Sequence, residues 1–142
     1  CHKQIQNELR KQSHHPILEG KVGCVDCHNP HGTTNKHQLK APSTNLLCYK
    51  CHTNKRGPFK YEHPPVEEDC LICHNVHGSR NQRLLKKKLP MLCIDCHSLY
   101  SGSTSITGVE DHPSNRTAGK GCVSCHSKIH GANGIKGKRF VY

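Results

Sequence analysis

The sequence predicts a chain that is mostly coil, with short α-helices, little or no β structure, and a core that its own side chains do not supply. Three observations predict this. Hydrophobic residues are 32% of the 142, with no Trp and two Phe, against about 45–50% apolar residues, Gly included, in a globular domain. Burial of so few apolar side chains does not offset the conformational entropy lost on folding. Eleven Cys and fourteen His are present instead. Ten of the cysteines recur as evenly spaced pairs.

The pairs are "CVDCH" (Cys24, Cys27), "CYKCH" (Cys48, Cys51), "CLICH" (Cys70, Cys73), "CIDCH" (Cys93, Cys96) and "CVSCH" (Cys122, Cys125), and His follows every one. With His at about a tenth of the chain, five such hits by chance have a probability on the order of 10⁻⁵. Zinc sites use C-x-x-C but do not need His after each pair. A thioredoxin-like pair occurs once, and an odd cysteine count leaves a disulfide framework unclosed. C-x-x-C-H is the attachment motif of c-type haem. The two thiols add to the two vinyl groups of one porphyrin edge, and the next residue brings its imidazole to the iron. This completes the fold class as a multihaem cytochrome c, a thin polypeptide wrapped around a chain of stacked c-type haems. The proximal ligands are His28, His52, His74, His97 and His126. Five haems are expected, with a sixth partial site at Cys1 and His2.

The formal charge of +11 suggests nucleic acid at first sight. Two propionates on each haem would bring the holoprotein to roughly +6 with ferric or +1 with ferrous iron. With four Tyr and two Phe there is no base-stacking platform, so no nucleic-acid partner is expected. Lys86-Lys87-Lys88 reads as a solvated face or as propionate partners. No stretch approaches the roughly 20 apolar residues of a transmembrane helix.

The chain reads as a single multihaem domain, 1–142, with repeats at about 14–52, 62–97 and 111–131. Motifs of one class are decorated, with His-Pro upstream and His-Gly downstream: "HHPILEGKVGCVDCHNPHG", "EHPPVEEDCLICHNVHG" and "DHPSNRTAGKGCVSCHSKIHG". The others, "LLCYKCH" and "MLCIDCH", are plain and alternate with them. That alternation asks for a plain motif before Cys24. If Cys1 closed such a pair, the pair would start 26 residues before Cys24, beside observed gaps of 24, 22, 23 and 29. Cys1-His2 is therefore expected to be the remnant of a severed haem motif, followed by a short linking helix in "KQIQNELRKQS". A lipid-modified cysteine is the alternative.

Six further histidines recur with the decorated motifs: His15, His63 and His112 before proline, and His31, His77 and His130 before glycine. They are the candidate distal ligands. A residue before proline is held extended, so its imidazole projects from a loop. His31 is too near His28 to cross to the far face of the same haem and is expected to reach a neighbouring one. Pro30 discourages a continuing helix, and Gly32 permits a turn or a close approach. His14 and His37 have no repeat counterpart and read as surface residues. Met91, the only Met, limits Met ligation to one haem. Which distal His serves which haem is left open.

The decorated repeats, with "GPFKYEHPPVEEDCLICHNVHGSRNQRLL", "LPMLCIDCH" and the terminal "CHSKIHGAN", resemble the periplasmic decahaem c-type cytochrome family (MtrA/DmsE type), specifically its C-terminal half. The resemblance implies bis-His haems in a nearly linear chain. It also implies electron passage across the outer membrane inside a β-barrel partner, or supply to a terminal reductase. This chain has five whole motifs where that family has ten. "SGSTSITG" at 101–108 lengthens the last gap and reads as an exposed loop.

The expected function is electron transfer and not enzyme catalysis. The haem is the redox group and the protein supplies ligation, burial and spacing. Haem attachment needs reduced thiols outside the cytoplasmic membrane, so the periplasm, the outer membrane or the exterior is expected. Redox proteins are the expected partners, among them an outer-membrane β-barrel and an extracellular cytochrome. A subunit of a cytochrome filament is one alternative. A multihaem reductase is another, but it needs an open or Lys-ligated iron, and no C-x-x-C-K motif is present.

Overall fold

The computed structural model of the chain describes residues 2–97 and 121–134. His112, Cys1 and the 101–108 stretch lie outside the described residues. Most of the described chain is coil and turn. The helices are α1 (Lys3–Leu9), α2 (Cys24–Cys27), α3 (Thr44–Cys48), α4 (Pro64–Glu68) and α5 (Met91–Ile94). Single 3₁₀ turns cover Lys36–Gln38, Thr53–Lys55, Cys70–Ile72, Gln82–Leu84 and Cys122–Ser124.

Each helix has a local cause. α1 carries good helix formers and ends at Leu9, where the sequence suggested a run to Ser13. α2 stops at the cysteine before His28, which is extended at φ −111°, ψ 145°. The Ser43 hydroxyl caps α3 by accepting from Leu46 N–H at 3.2 Å, and Asp69 caps the 70–72 turn by accepting from Leu71 N–H at 2.8 Å. His63, extended before proline at φ −105°, ψ 110°, agrees with the steric rule. The imidazole was expected to project from a loop, but Pro64 and Pro65 follow it directly. They open α4 instead, because a helix's first positions need no N–H donor.

The only sheet among the described residues is a two-residue ladder. β1 (Ser13–His14) runs antiparallel to β2 (Gly78–Ser79), with Ser13 opposite Ser79 and His14 opposite Gly78. A second, isolated bridge sets Tyr61 opposite Ala132, with both N–H···O bonds at 3.0 Å. The two are equivalent. In each, the segment before a His-Pro pairs with the His-Gly segment of the next repeat. Side chains fill almost nothing: among the described residues the buried apolar ones are Leu9, Ala41 and Ala132. Of the five exposed large apolar residues, Val25, Leu46, Ile72 and Met91 lie within, or two residues before, a C-x-x-C pair, and Leu18 does not. The chain keeps most of its exposed large apolar side chains where a porphyrin would cover them.

Two glycines make the bridges possible. A Cβ on Gly78 would lie 1.9 Å from the Glu8 carbonyl oxygen. One on Gly131, which has φ +125°, would lie 2.2 Å from the Phe59 ring. A buried asparagine ties the halves together. Asn45 donates to the Val66 and Glu67 carbonyls at 3.1 and 2.9 Å, and accepts from Cys70 N–H at 2.8 Å.

Candidate haem sites

Four imidazole pairs face one another. His28 and His77 have ring centres 6.2 Å apart, His15 and His52 6.3 Å, His74 and His130 6.3 Å, and His63 and His97 6.0 Å. Each joins the histidine of one C-x-x-C-H motif to one from a His-Pro or His-Gly segment. An imidazole nitrogen binds a first-row metal ion at about 2.0 Å, and the ring centre lies roughly 1.1 Å behind it. Two rings on opposite faces of one iron therefore have centres about 6.2 Å apart. The residues fit a six-coordinate haem at four sites. Site 1 has Cys24, Cys27, His28 and His77, and site 2 has Cys48, Cys51, His52 and His15. Site 3 has Cys70, Cys73, His74 and His130, and site 4 has Cys93, Cys96, His97 and His63.

The bridges explain how ligands so far apart in sequence meet. β1 and β2 bring His15 beside His77, and one bridge thereby closes sites 1 and 2. The Tyr61–Ala132 bridge does the same with His63 and His130 for sites 3 and 4. The His-Gly histidine reaches back to the preceding decorated motif; the His-Pro histidine reaches forward to the next plain one. Sequence periodicity alone contains no such long-range register.

The proximal rings of the decorated motifs are oriented by main chain. His28 Nδ1 donates to the His37 carbonyl at 2.8 Å, and His74 Nδ1 donates to the Arg83 carbonyl at 2.9 Å. A carbonyl only accepts, so Nδ1 carries the proton and Nε2 keeps its lone pair for a metal. His37 and Arg83 both have positive φ, 55° and 56°, and each lies nine residues after its histidine. Asn35 and Asn81 brace these turns by donating to the Leu39 and Leu85 carbonyls, both at 3.0 Å. His37 was read as a surface side chain. Its ring is exposed, but its carbonyl orients a proximal ring, a main-chain role that composition does not reveal. The shared pattern of "NKHQLK" and "NQRLLK" is the signal that was there to be used.

The distal rings have partners too. His15 Nδ1 donates to the Val76 carbonyl. His77 Nδ1 lies 3.6 Å from Glu8 Oε2. Burial holds His63, His74 and His77 below the ordinary imidazole range. Burial, with the nearby Lys55 ammonium, takes His130 down to about 4. These rings stay neutral at pH 7, the form that ligates. His14 is half-buried and held on both nitrogens, by the Lys11 carbonyl at 2.7 Å and by Glu19 Oε1 at 2.9 Å. His31 is exposed, and Gly32 after it turns the chain at φ +98°. His2 is also exposed and has φ −95°, ψ 57°, close to the −97°, 49° of His52. Cys122 and Cys125 open the fifth motif on the 122–124 turn.

None of the ten described cysteines is in a disulfide. Burial, then the Cys70 thiol beside it, pushes Cys48 up to about 12. Burial, then Cys122, pushes Cys93 up to about 11. These are apolar, thiol-preserving surroundings, unlike the electropositive ones that make thiolates. Contact of Cys48 with Cys70, and of Cys93 with Cys122, also places successive motifs side by side. Among the described residues no three His, Cys, Asp or Glu side chains converge as a metal cluster. No described helix is long and apolar enough to cross a membrane.

The doubled CXXCH motif model matches residues 14–57 and 63–101, the stretches that carry the C-x-x-C-H motifs of sites 1 with 2 and of sites 3 with 4. Multiheme cytochrome MtrA of Shewanella baltica (strain OS185) is 46% identical over 97% of this chain and 43% of its own length. The chain spans less than half of that relative. Paired motifs, opposed imidazoles and this similarity agree: the chain binds c-type haem and belongs to the doubled CXXCH motif family of multihaem cytochromes, of the MtrA type.

Proposed function

We propose that this chain is an electron-transfer conduit and not an enzyme. It would carry five haems on ten thioethers, with a sixth partial site at Cys1 and His2. The carrying observation is the set of four opposed imidazole pairs 6.0–6.3 Å apart, since two imidazoles per iron leave no position for a substrate. Bound at these sites, haem supplies a one-electron ferric–ferrous couple. The residues do the rest. The cysteines fix each porphyrin edge, the paired histidines fill both axial positions, and the inter-repeat bridges hold the sites in sequence. His112 and His31 complete the proposed distal set. His31 stands where His77 does in the repeat, and by the same register serves a haem other than that of its own motif. Location in the periplasm or at the outer membrane is supported by the MtrA-type similarity. So are redox-protein partners, among them an outer-membrane β-barrel and an extracellular cytochrome.

The test is spectroscopic. Haem-loaded protein reduced with dithionite should be low-spin at sites 1–4, with almost no carbon monoxide bound there. His63→Ala should leave all thioethers intact and open one haem, at site 4, to carbon monoxide. A stoichiometric high-spin signal from any of sites 1–4 in the unaltered protein would overturn the reading in favour of a reductase.

A further inference from the structure

Sites 1 and 3 form a matched pair. Both are decorated motifs, and each donates its proximal Nδ1–H to a carbonyl nine residues on, at 2.8 and 2.9 Å. Both are closed by a His-Gly histidine from the next repeat, with ring centres 6.2 and 6.3 Å apart. Their distal surroundings differ in charge. At site 1 the Glu8 carboxylate, 27% exposed, faces His77 Nδ1 at 3.6 Å. Glu8 also lies 3.8 Å from Lys11, which takes part of its field. At site 3, His130 lines a cavity of about 290 Å³ with Lys55 and Arg56. Glu62 and Glu67 line it too; the Lys55 ammonium, after burial, disfavours the charged form of the His130 ring. The reversal has a counterpart in the sequence: seven residues before His15 stands Glu8, whereas Lys55 and Arg56 stand eight and seven residues before His63.

We propose that Glu8 and Lys55 are potential-setting residues of opposite sign, Glu8 placing site 1 below site 3. A carboxylate facing the Nδ1–H of an axial imidazole makes the ring a stronger donor and favours ferric iron. A cation beside the other axial ring favours the added electron. The step concerned is one electron onto ferric iron, delivered by an electrode or dithionite, with no bond made or broken. Neither residue is a ligand; both act through one.

This rests on the bis-histidine reading of sites 1 and 3, and the experiment separates the two. Haem-loaded wild type, Glu8→Gln, Lys55→Gln and the double variant are titrated spectroelectrochemically, with spin state read from the same spectra. Glu8→Gln should move one component positive, by roughly tenfold in its ferric–ferrous ratio, about 59 mV for one electron. Lys55→Gln should move a different component negative, and the double variant should show both shifts. Glu8→Asp, which keeps the charge, should restore most of the wild-type potential. Hyperfine-shifted imidazole resonances of the ferric protein should assign the moved components to His77 and His130. Low-spin spectra with unmoved potentials, or both variants shifting one component in one direction, would overturn the proposal and leave the ligation standing. High-spin wild-type spectra would overturn the ligation first.

Discussion

At the first inter-repeat bridge, Ser13 and His14 lie against Gly78 and Ser79; at the second, Tyr61 lies against Ala132. Each brings two distal histidines together, and each needs a glycine where another part of the chain presses in. The pressing groups differ. At Gly78 it is the main chain of Glu8, at the end of α1; at Gly131 it is the ring of Phe59. Behind the first bridge is a carboxylate, and behind the second a lysine. The repeat therefore conserves the geometry of ligation and varies the material around it. A backbone device sets which imidazoles meet, and side chains outside the ligand set are free to give each site its own electrostatics.

The sharpest way to break the comparison is to fill the two glycines. In Gly78→Ala the new methyl meets a carbonyl oxygen that cannot move without shifting α1. A cost of roughly 3 kcal/mol is expected, at the upper end for overpacking. The first bridge should part, and with it the distal ligands of sites 1 and 2. Carbon monoxide binding to reduced protein should then report two open haems. In Gly131→Ala the Phe59 ring can swing aside, but φ +125° is strained for any residue with a Cβ, at about 1–3 kcal/mol. Sites 3 and 4 should open only in part. Equal and complete opening in both would show that strain and not backbone contact governs.

An intermediate effect is expected at the clamp between the halves. Asn45→Ala removes three hydrogen bonds at a buried position and leaves the Cys70 N–H and two carbonyls without that partner. Unsatisfied buried groups cost about 1–3 kcal/mol each, less where water reaches them. A loss of about 2 kcal/mol is expected in a denaturant melt followed at the Soret band. Every haem should stay low-spin in the native baseline, because no ligand and no bridge is touched. High-spin haem at sites 2 and 3 in that baseline would make Asn45 part of ligation.

Asn45 also shows what was legible and what was not. The cysteine pairs, the short helices at several of them, and the two classes of extra histidine all follow from local spacing, because thioether attachment and the proline rule act over a few residues. The assignment of His77 to His28 depends on a pairing 66 residues apart, Ser13 with Ser79, and a repeat count cannot choose between neighbours. An isolated Asn in "STNLLC" gives no hint that its amide clamps Val66, Glu67 and Cys70. Little or no β structure was the right expectation by amount. Yet the few paired residues decide the ligation, so their scarcity hid their weight. The 3₁₀ turns after the decorated motifs were missed for a related reason, since their contribution is a carbonyl, which every residue has.

The smallest effect concerns those turns and separates main chain from side chain. His37 orients His28 through its carbonyl while its own ring is exposed. His37→Ala should therefore keep site 1 low-spin with all thioethers attached. It is not wholly silent, because φ 55° suits His better than Ala, and a cost of about 1 kcal/mol is expected. His37→Gly removes the same ring without that strain and should be nearly neutral. Asn35→Ala and Asn81→Ala test the brace. Asn35 makes one side-chain bond to the Leu39 carbonyl, whereas Asn81 donates to both Leu85 and Lys86. The turn at site 3 should therefore loosen more than the turn at site 1. A looser turn weakens the Nδ1–H bond, makes the proximal imidazole a poorer donor and raises the potential of that haem slightly. The ordering expected in a redox titration is Asn81→Ala above Asn35→Ala, with His37→Gly unmoved. If His37→Gly instead shifts site 1 as far as Asn35→Ala does, the His37 ring and not its carbonyl is the part that matters.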